Sequence, residues 1–231
     1  MEAKFEKEKT TSHNIIGEIV GSEKPEEIIL LGGHLDSWDT GPQTGANDDL
    51  SGFFVCYEAA RVIKFLNLKP KRTIRVVGWS GEEMGFPNSG ANEYVKNHEN
   101  ELINHSVAFE SDEGVTRLRG FGFKGNKKAF SILTNELSWL MNGEYDYNQF
   151  YDDLGVATDI SPLISKGVPG MINIIDNNPL NDNYDVDYFN YHHSAADTVS
   201  ILDPTDMDSN VIGIAQVFYY IANLPSKLPR N

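Results

Sequence analysis

Short apolar runs alternate along the chain with longer stretches of mixed character. "HNIIGEIVG" (13–21) and "EEIILLGGH" (26–34) read as strands joined by the turn "SEKPE". "DLSGFFVCYEAARVIKFLNL" (49–68) predicts a helix, with Leu50, Phe53, Phe54 and Tyr57 at the i, i+3, i+4, i+7 spacing of one apolar stripe. "KRTIRVVGWS", bounded by Pro70 and Gly81, predicts a third strand. A helix over 90–97 leads to the strand "HSVAFESD". "KKAFSILTNELSWLMN" (127–142) reads as helix, and "GVPGMINIID" (167–176) as a strand entered through a proline turn. The last element, "DPTDMDSNVIGIAQVFYYIANL", predicts a helix capped by Asp203 with Pro204 at its first position. Strands alternating with helices imply an α/β fold: a mostly parallel mixed sheet covered on both faces, three layers in all.

The length of 231 residues suits one such domain, or at most two small ones. The formal net charge of −15 argues against nucleic acid, which needs clustered Lys and Arg, and disfavours anionic membrane surfaces. It leaves a multivalent cation as a natural partner. No run of 18 apolar residues occurs, so no membrane span is predicted, and "MEAKFEKEKTTSHN" lacks the apolar core of a signal peptide. The single cysteine, Cys56, permits no intrachain disulfide, and its apolar surroundings predict a buried structural thiol.

In open α/β sheets, ligands bind beyond the carboxyl ends of the strands. Those ends are unusually rich in metal-binding groups here. "LLGGHLDSWD" delivers His34 and Asp36, and "GANDDLSG" places Asp48 and Asp49 at a helix start. "GEE" follows the third strand with Glu82 and Glu83, "ESD" ends the fourth with Asp112, and "YHHSAADT" supplies His192 and His193 downstream. Singly, each reads as a solvated turn or a charge complementing a helix dipole. Together they form a set of imidazole and carboxylate donors of the kind zinc takes, enough for two ions if one carboxylate bridges. Asp36 lies two residues beyond His34, on the same face of an extended segment, which suits a carboxylate that holds the imidazole in its ligating tautomer. Of the adjacent glutamates, one can bind metal while the other acts as general base. His13, His98 and His105 lack such company and read as structural or surface residues.

The ordered set "GGHLDSWD", "GANDDLSG", "WSGEEMG", "ESDEG" and "HHSAADT" resembles the M28 family of zinc aminopeptidases, and within it the carboxypeptidase Q branch. The likeness runs from about His13 to Arg230. It implies the zinc-dependent exopeptidase (phosphorylase/hydrolase-like) fold and two Zn2+ per chain. His34, Asp48 and Asp112 would ligate one ion, and Asp48 would bridge to a second held by Glu83 and His193. His193 rather than His192 fits the family's H-[ST]-x-x-D pattern, through Ser194 and Asp197. Glu82 would be the general base, Asp36 the partner of His34 and Asp197 a supporting acid, with a cis peptide between Asp48 and Asp49.

The implied reaction is hydrolysis of dipeptides or short peptides with a free N-terminus. The stretches "GVATDISP" and "NPLNDNYDVDYFNYHH" are expected to shape the substrate pocket. A single catalytic domain over 1–231 is expected, without the N-terminal segment and protease-associated insert of full-length relatives. The resemblance also points to an extracytoplasmic setting and a possible homodimer. Two rival readings remain: a glutaminyl-cyclase-like transferase using one zinc, and a non-catalytic binding module on the same scaffold.

Overall fold

The computed structural model of the chain describes residues 10–85, 89–138, 147–152, 158–176 and 188–230. Seven strands, β1 (Ile15–Ile19), β2 (Lys24–His34), β3 (Arg72–Trp79), β4 (His105–Glu110), β5 (Leu118–Lys124), β6 (Gln149–Tyr151) and β7 (Gly170–Ile175), form one sheet. Their order is β1-β3-β2-β4-β7-β5-β6. The pairs β2–β3, β2–β4, β4–β7 and β5–β6 are parallel, whereas β1–β3 and β5–β7 are antiparallel. The mixed, mostly parallel sheet expected from the alternation is therefore present.

The period of two along β2 divides the core. Ile29 and Leu31 join an apolar cluster on one face, with helices α1 (Ser51–Phe65), α3 (Lys127–Glu136) and α6 (Pro204–Asn223). Ile28 and Leu30 join a smaller cluster on the other face, with α2 (Gly90–Asn97) and α4 (Ser161–Ser165). A further short helix, α5 (Tyr188–Tyr191), leads into the double histidine. The Asp203 carboxylate accepts the Thr205 and Asp206 amides, as the cap prediction required, with Pro204 opening α6.

Three departures from the sequence pattern have physical causes. The aromatic stripe predicted for the first helix faces largely outward: Phe54 and Tyr57 are 46% and 47% exposed, while Val55, Cys56, Ala59, Ala60 and Ile63 are buried. Small residues let α1 lie close to the sheet. At Gly52 a Cβ would come within 2.0 Å of the Ser111 carbonyl oxygen, so only glycine allows that approach.

Strands β5 and β6 were not foreseen: glycines in "LRGFGFK" erase the alternation that marks β5, and β6 is only three residues long. Gly120 is needed there, since a Cβ would meet the Gln149 carbonyl of β6 at 1.9 Å. Strand β2 also begins at Lys24, inside the predicted turn, because Lys24 pairs with Arg72 across a bulge. Of the predicted helix 127–142, α3 ends at Glu136 and positions 139–142 lie outside the described residues.

Two buried polar networks brace the sheet away from its functional end. Arg72, fully buried, donates to Glu27 at 2.5 Å and to the Ala222 and Leu224 carbonyls. Arg75 bridges Glu18 and Glu101 and meets the Tyr94 hydroxyl, which donates to His105 Nε2 at 2.8 Å. Burial pushes the His105 ring down to about 4, so the imidazole is neutral. His105 is thus a core residue, as its isolation in the sequence suggested. Cys56 is buried, its thiol pushed up by desolvation.

Candidate metal centre

Strand β2 carries His34 to the carboxyl edge of the sheet, where only 1% of its surface is exposed. Its Nε2 lies 3.2 Å from Asp48 Oδ1 and 3.2 Å from Asp112 Oδ1. Asp48 sits in the turn at 46–50 before α1, and the Asp48–Asp49 peptide is cis, as the resemblance implied. Asp112 follows β4 directly. Three elements thus converge on one point, and Asp48 then reaches beyond it. Its Oδ2 is 3.4 Å from His193 Nε2 and 3.6 Å from His192 Nε2, and His193 Nε2 is 3.0 Å from Glu83 Oε2. Two donor groups, His34–Asp48–Asp112 and Asp48–His192–His193, therefore share Asp48.

Two ligands held about 2.0–2.1 Å from one tetrahedral zinc stand roughly 3.4 Å apart. The donor separations of 3.0–3.4 Å at His34, Asp48, Asp112, Glu83 and His193 match that spacing. Asp48 Oδ2, Asp112 Oδ1 and Glu83 Oε1 are buried without a hydrogen-bond partner, an arrangement that a cation would relieve. The residues fit a pair of zinc ions on nitrogen and oxygen donors. Among the described residues His193, and not His192, also meets Glu83, and the two imidazole rings stack at 3.5 Å. His193 adopts φ 54°, an uncommon conformation for a residue with a side chain, which turns its ring toward Glu83.

The surrounding groups hold these donors in place. The Asp197 carboxylate accepts the Asn47 and Asp48 amides at 2.7 and 3.1 Å, fixing the bridging aspartate. Asp49 Oδ2 accepts the His34 amide at 2.9 Å. Asp36 behaves differently from the expectation that its carboxylate would hold the His34 ring. Nδ1–H of His34 donates to the backbone carbonyl of Asp36 at 2.8 Å, and the nearest carboxylate oxygen is 3.8 Å away, beyond hydrogen-bond range. The Asp36 carboxylate instead accepts the amides of Gly81, Glu82 and Glu83 at 2.8, 3.2 and 3.2 Å. Residue 36 therefore serves both sides of the site, His34 through its backbone and the glutamate turn through its side chain.

The concentration of acids shows in their proton affinities. Burial opposes charge on His34, yet the Asp112 and Asp48 carboxylates outweigh it and raise its affinity. Burial, reinforced by the charge of Asp48, pushes Glu83 up to about 7. Asp49 is pushed up by burial and by the Asp112 charge. A chain that holds this many carboxylates together needs compensating positive charge, as metal ions supply.

Two neighbours, Trp38 and Glu110, escaped the sequence reading, and two more, Thr158 and Asp159, entered it only within the pocket stretch "GVATDISP". Trp38 donates Nε1–H to Glu83 at 2.6 Å and stacks on His193 at 4.6 Å. Glu110, buried in β4, accepts the backbone amides of Thr158, Asp159 and Ile160 at 3.0, 3.2 and 2.9 Å. The Thr158 hydroxyl donates to Asp112 at 3.0 Å, and Asp159 is buried beside it. Trp38 and Glu110 each lie within two positions of a named residue, in "LDSWD" and "ESD", and that proximity was the available signal. Glu82 is half-buried and lines a groove with Thr158 and Asp159. The pocket stretches "GVATDISP" and "NPLNDNYDVDYFNYHH" fall partly outside the described residues.

Comparison with known proteins shows the family. The sequence profile of peptidase family M28 matches residues 14–218. Carboxypeptidase Q of Homo sapiens is 40% identical over 222 residues, which is 96% of this chain and 44% of that protein. The chain thus spans less than half the length of that relative. The crystal structure of a peptidase M28 precursor from Shewanella amazonensis superposes with a TM-score of 0.82. It is 36% identical and is covered over 47% of its chain by 96% of this one. A zinc aminopeptidase from Bacillus subtilis shares the fold, with a TM-score of 0.65 at 21% identity over 90% of this chain and 49% of that one.

Proposed function

Because the chain belongs to peptidase family M28, we propose that it is a two-zinc metallo-exopeptidase that removes the N-terminal residue of dipeptides and short peptides. The observation that carries this reading is the pair of donor groups sharing Asp48. A bridging carboxylate is what two closely spaced zinc ions require, and both groups stand at the carboxyl edge of the sheet. His34 and Asp112 would hold one ion with Asp48, and Glu83 and His193 would hold the second with it.

When bound, zinc would lower the pKa of a water and polarise the scissile carbonyl. Glu82, kept out of the ligand set and steadied through its amide by Asp36, takes the water's proton and passes it to the leaving nitrogen. Asp48 and Asp112 would hold the metal that polarises the substrate carbonyl, while Glu83 keeps its place through Trp38. A binding-only module would have no need for the complete donor set around a free glutamate. A panel of dipeptides, N-acetylated dipeptides and glutaminyl peptides, run with zinc and then with a chelator, tests the reading. Zinc-dependent release of amino acids from unblocked dipeptides is expected. Turnover of N-acetylated peptides in preference, or cyclisation of glutaminyl peptides without hydrolysis, would overturn it.

A further inference from the structure

A groove of about 540 Å3 leaves the metal cluster beside Glu82 and runs between α2 and α4. It is lined by Glu82, Thr158 and Asp159 at one end and by Ser89, Asn92 and Lys166 along its length. The inner end joins the metal site directly, because the Thr158 hydroxyl is bonded to Asp112. Asp159 there is 1% exposed, and neither of its carboxyl oxygens has a hydrogen-bond partner. Its backbone amide is tied to Glu110, so the side chain is held in place without satisfying itself. A buried polar group of this kind calls for a partner that the protein does not contain. Lys166 is half exposed and the one cation among the described residues that line the groove. Its Nζ makes only a loose 3.4 Å contact with the exposed Glu99.

We infer that this groove is the subsite for the leaving-group residue of the substrate. Asp159 accepts the N–H of the scissile nitrogen, and Lys166 receives the C-terminal carboxylate. The inference rests on the exopeptidase reading. The chemistry of the lining fits it: a donor must meet Asp159 next to the general base, and an anion must meet Lys166. Asp159 retains an accepting oxygen in either protonation state. During hydrolysis the carbon–nitrogen bond breaks as the water oxygen bonds to the carbonyl carbon. Glu82 moves the water's proton to the nitrogen, and Asp159 keeps its hydrogen bond to that nitrogen, leaving the lone pair free to take the proton. No other reactant is needed. Asp159 touches the reacting atom; Lys166 selects for a free C-terminus.

Three alanyl substrates test this: Ala-Ala, its C-terminal amide, and alanyl-lactate, in which an ester oxygen replaces the scissile N–H. Asp159→Ala is expected to lower kcat/KM for Ala-Ala about tenfold more than for alanyl-lactate, and Asp159→Asn, which keeps an accepting oxygen, to recover most of the difference. Lys166→Ala is expected to lower the preference for Ala-Ala over its amide about fivefold, mainly through KM, as for a partly exposed ion pair, and Lys166→Arg to restore it. Equal losses on amide and ester with an unchanged preference would overturn the assignment while leaving the exopeptidase reading intact. Absence of zinc-dependent turnover of any of the three by the unaltered protein would remove both. Should Asp159→Ala fail to fold, the exposed Lys166 variants decide alone.

Discussion

Replacing Asp36 by Asn separates two roles that the sequence could not tell apart. The change keeps the shape of the side chain and the backbone carbonyl that receives His34 Nδ1–H at 2.8 Å. It turns one of the two carboxylate oxygens into a donor, facing the amides of Gly81 and Glu82 or that of Glu83. A hydrogen bond to a charged acceptor contributes about 1.5–3 kcal/mol, and the partial exposure of Asp36 favours the lower half of that range. A loss of about 2 kcal/mol corresponds to roughly 30-fold. The turn that loses its anchor carries Glu82 and Glu83, so the loss falls on kcat and on the zinc site that includes Glu83. Zinc held by His34, Asp48 and Asp112 is expected to keep its affinity within about threefold, well inside the 10–100-fold typical of losing an imidazole partner. The assay is a competitive chelator titration resolving two zinc ions, run beside dipeptide hydrolysis. Preferential weakening of the His34 site would show that the carboxylate acts on the imidazole after all and would refute the geometric argument.

Other substitutions address separate parts of the molecule. Glu82→Gln is expected to retain both zinc ions, measured by metal analysis, and to lose about 10²–10⁴-fold in dipeptide turnover, the usual contribution of a general base; normal turnover would remove Glu82 from that role. Glu27→Gln leaves the buried Arg72 guanidinium without its charged partner and is expected to destabilise the fold by about 3 kcal/mol in urea unfolding, with little effect if water reaches Arg72 freely. His105 has a folded pKa of about 4, below the ordinary value of 6.5, so the unfolded chain binds the proton first. Its contribution is fully present above pH 6.5 and is lost as the pH falls toward 4, about 3 kcal/mol in all. His105→Gln should flatten that part of the stability profile, and an unchanged acid slope would exclude this histidine as its source.

The elements legible in the sequence were those whose hydrophobic period was unbroken. The buried core of β2, "IILLGGH", and the capped helix α6 needed only local chemistry to be read. Strand β5 was not legible, because glycine at 120 and 122 removes the side chains that carry the pattern, and β6, three residues long, is too short to show one. Helix α1 was placed correctly but turned the wrong way: aromatic size suggested the buried stripe, whereas close approach to the sheet selected Val55, Cys56 and Ala59. In the site, residues adjacent to strand ends were visible as isolated polar groups. Their pairings were not: Asp197 was implied only as a supporting acid and Thr158 only as part of a pocket stretch, and they lie 149 residues from Asp48 and 46 from Asp112.

By itself the sequence determined which donor chemistries the molecule owns and that they fall at strand and helix ends. Periodicity requires apolar positions to be buried, so His34, Asp48, Asp112 and Glu83 are driven to the edge of the sheet wherever its strands lie. Only the tertiary structure decided which donors meet. The order β3-β2-β4 sets the ends of three parallel strands side by side, and Asp48 becomes common to two groups of donors. It also decided that Asp36 steadies the glutamates with its carboxylate and His34 with its carbonyl. Sequence spacing places a residue on a face, but hydrogen bonds form at about 3 Å, a distance that only the folded backbone sets.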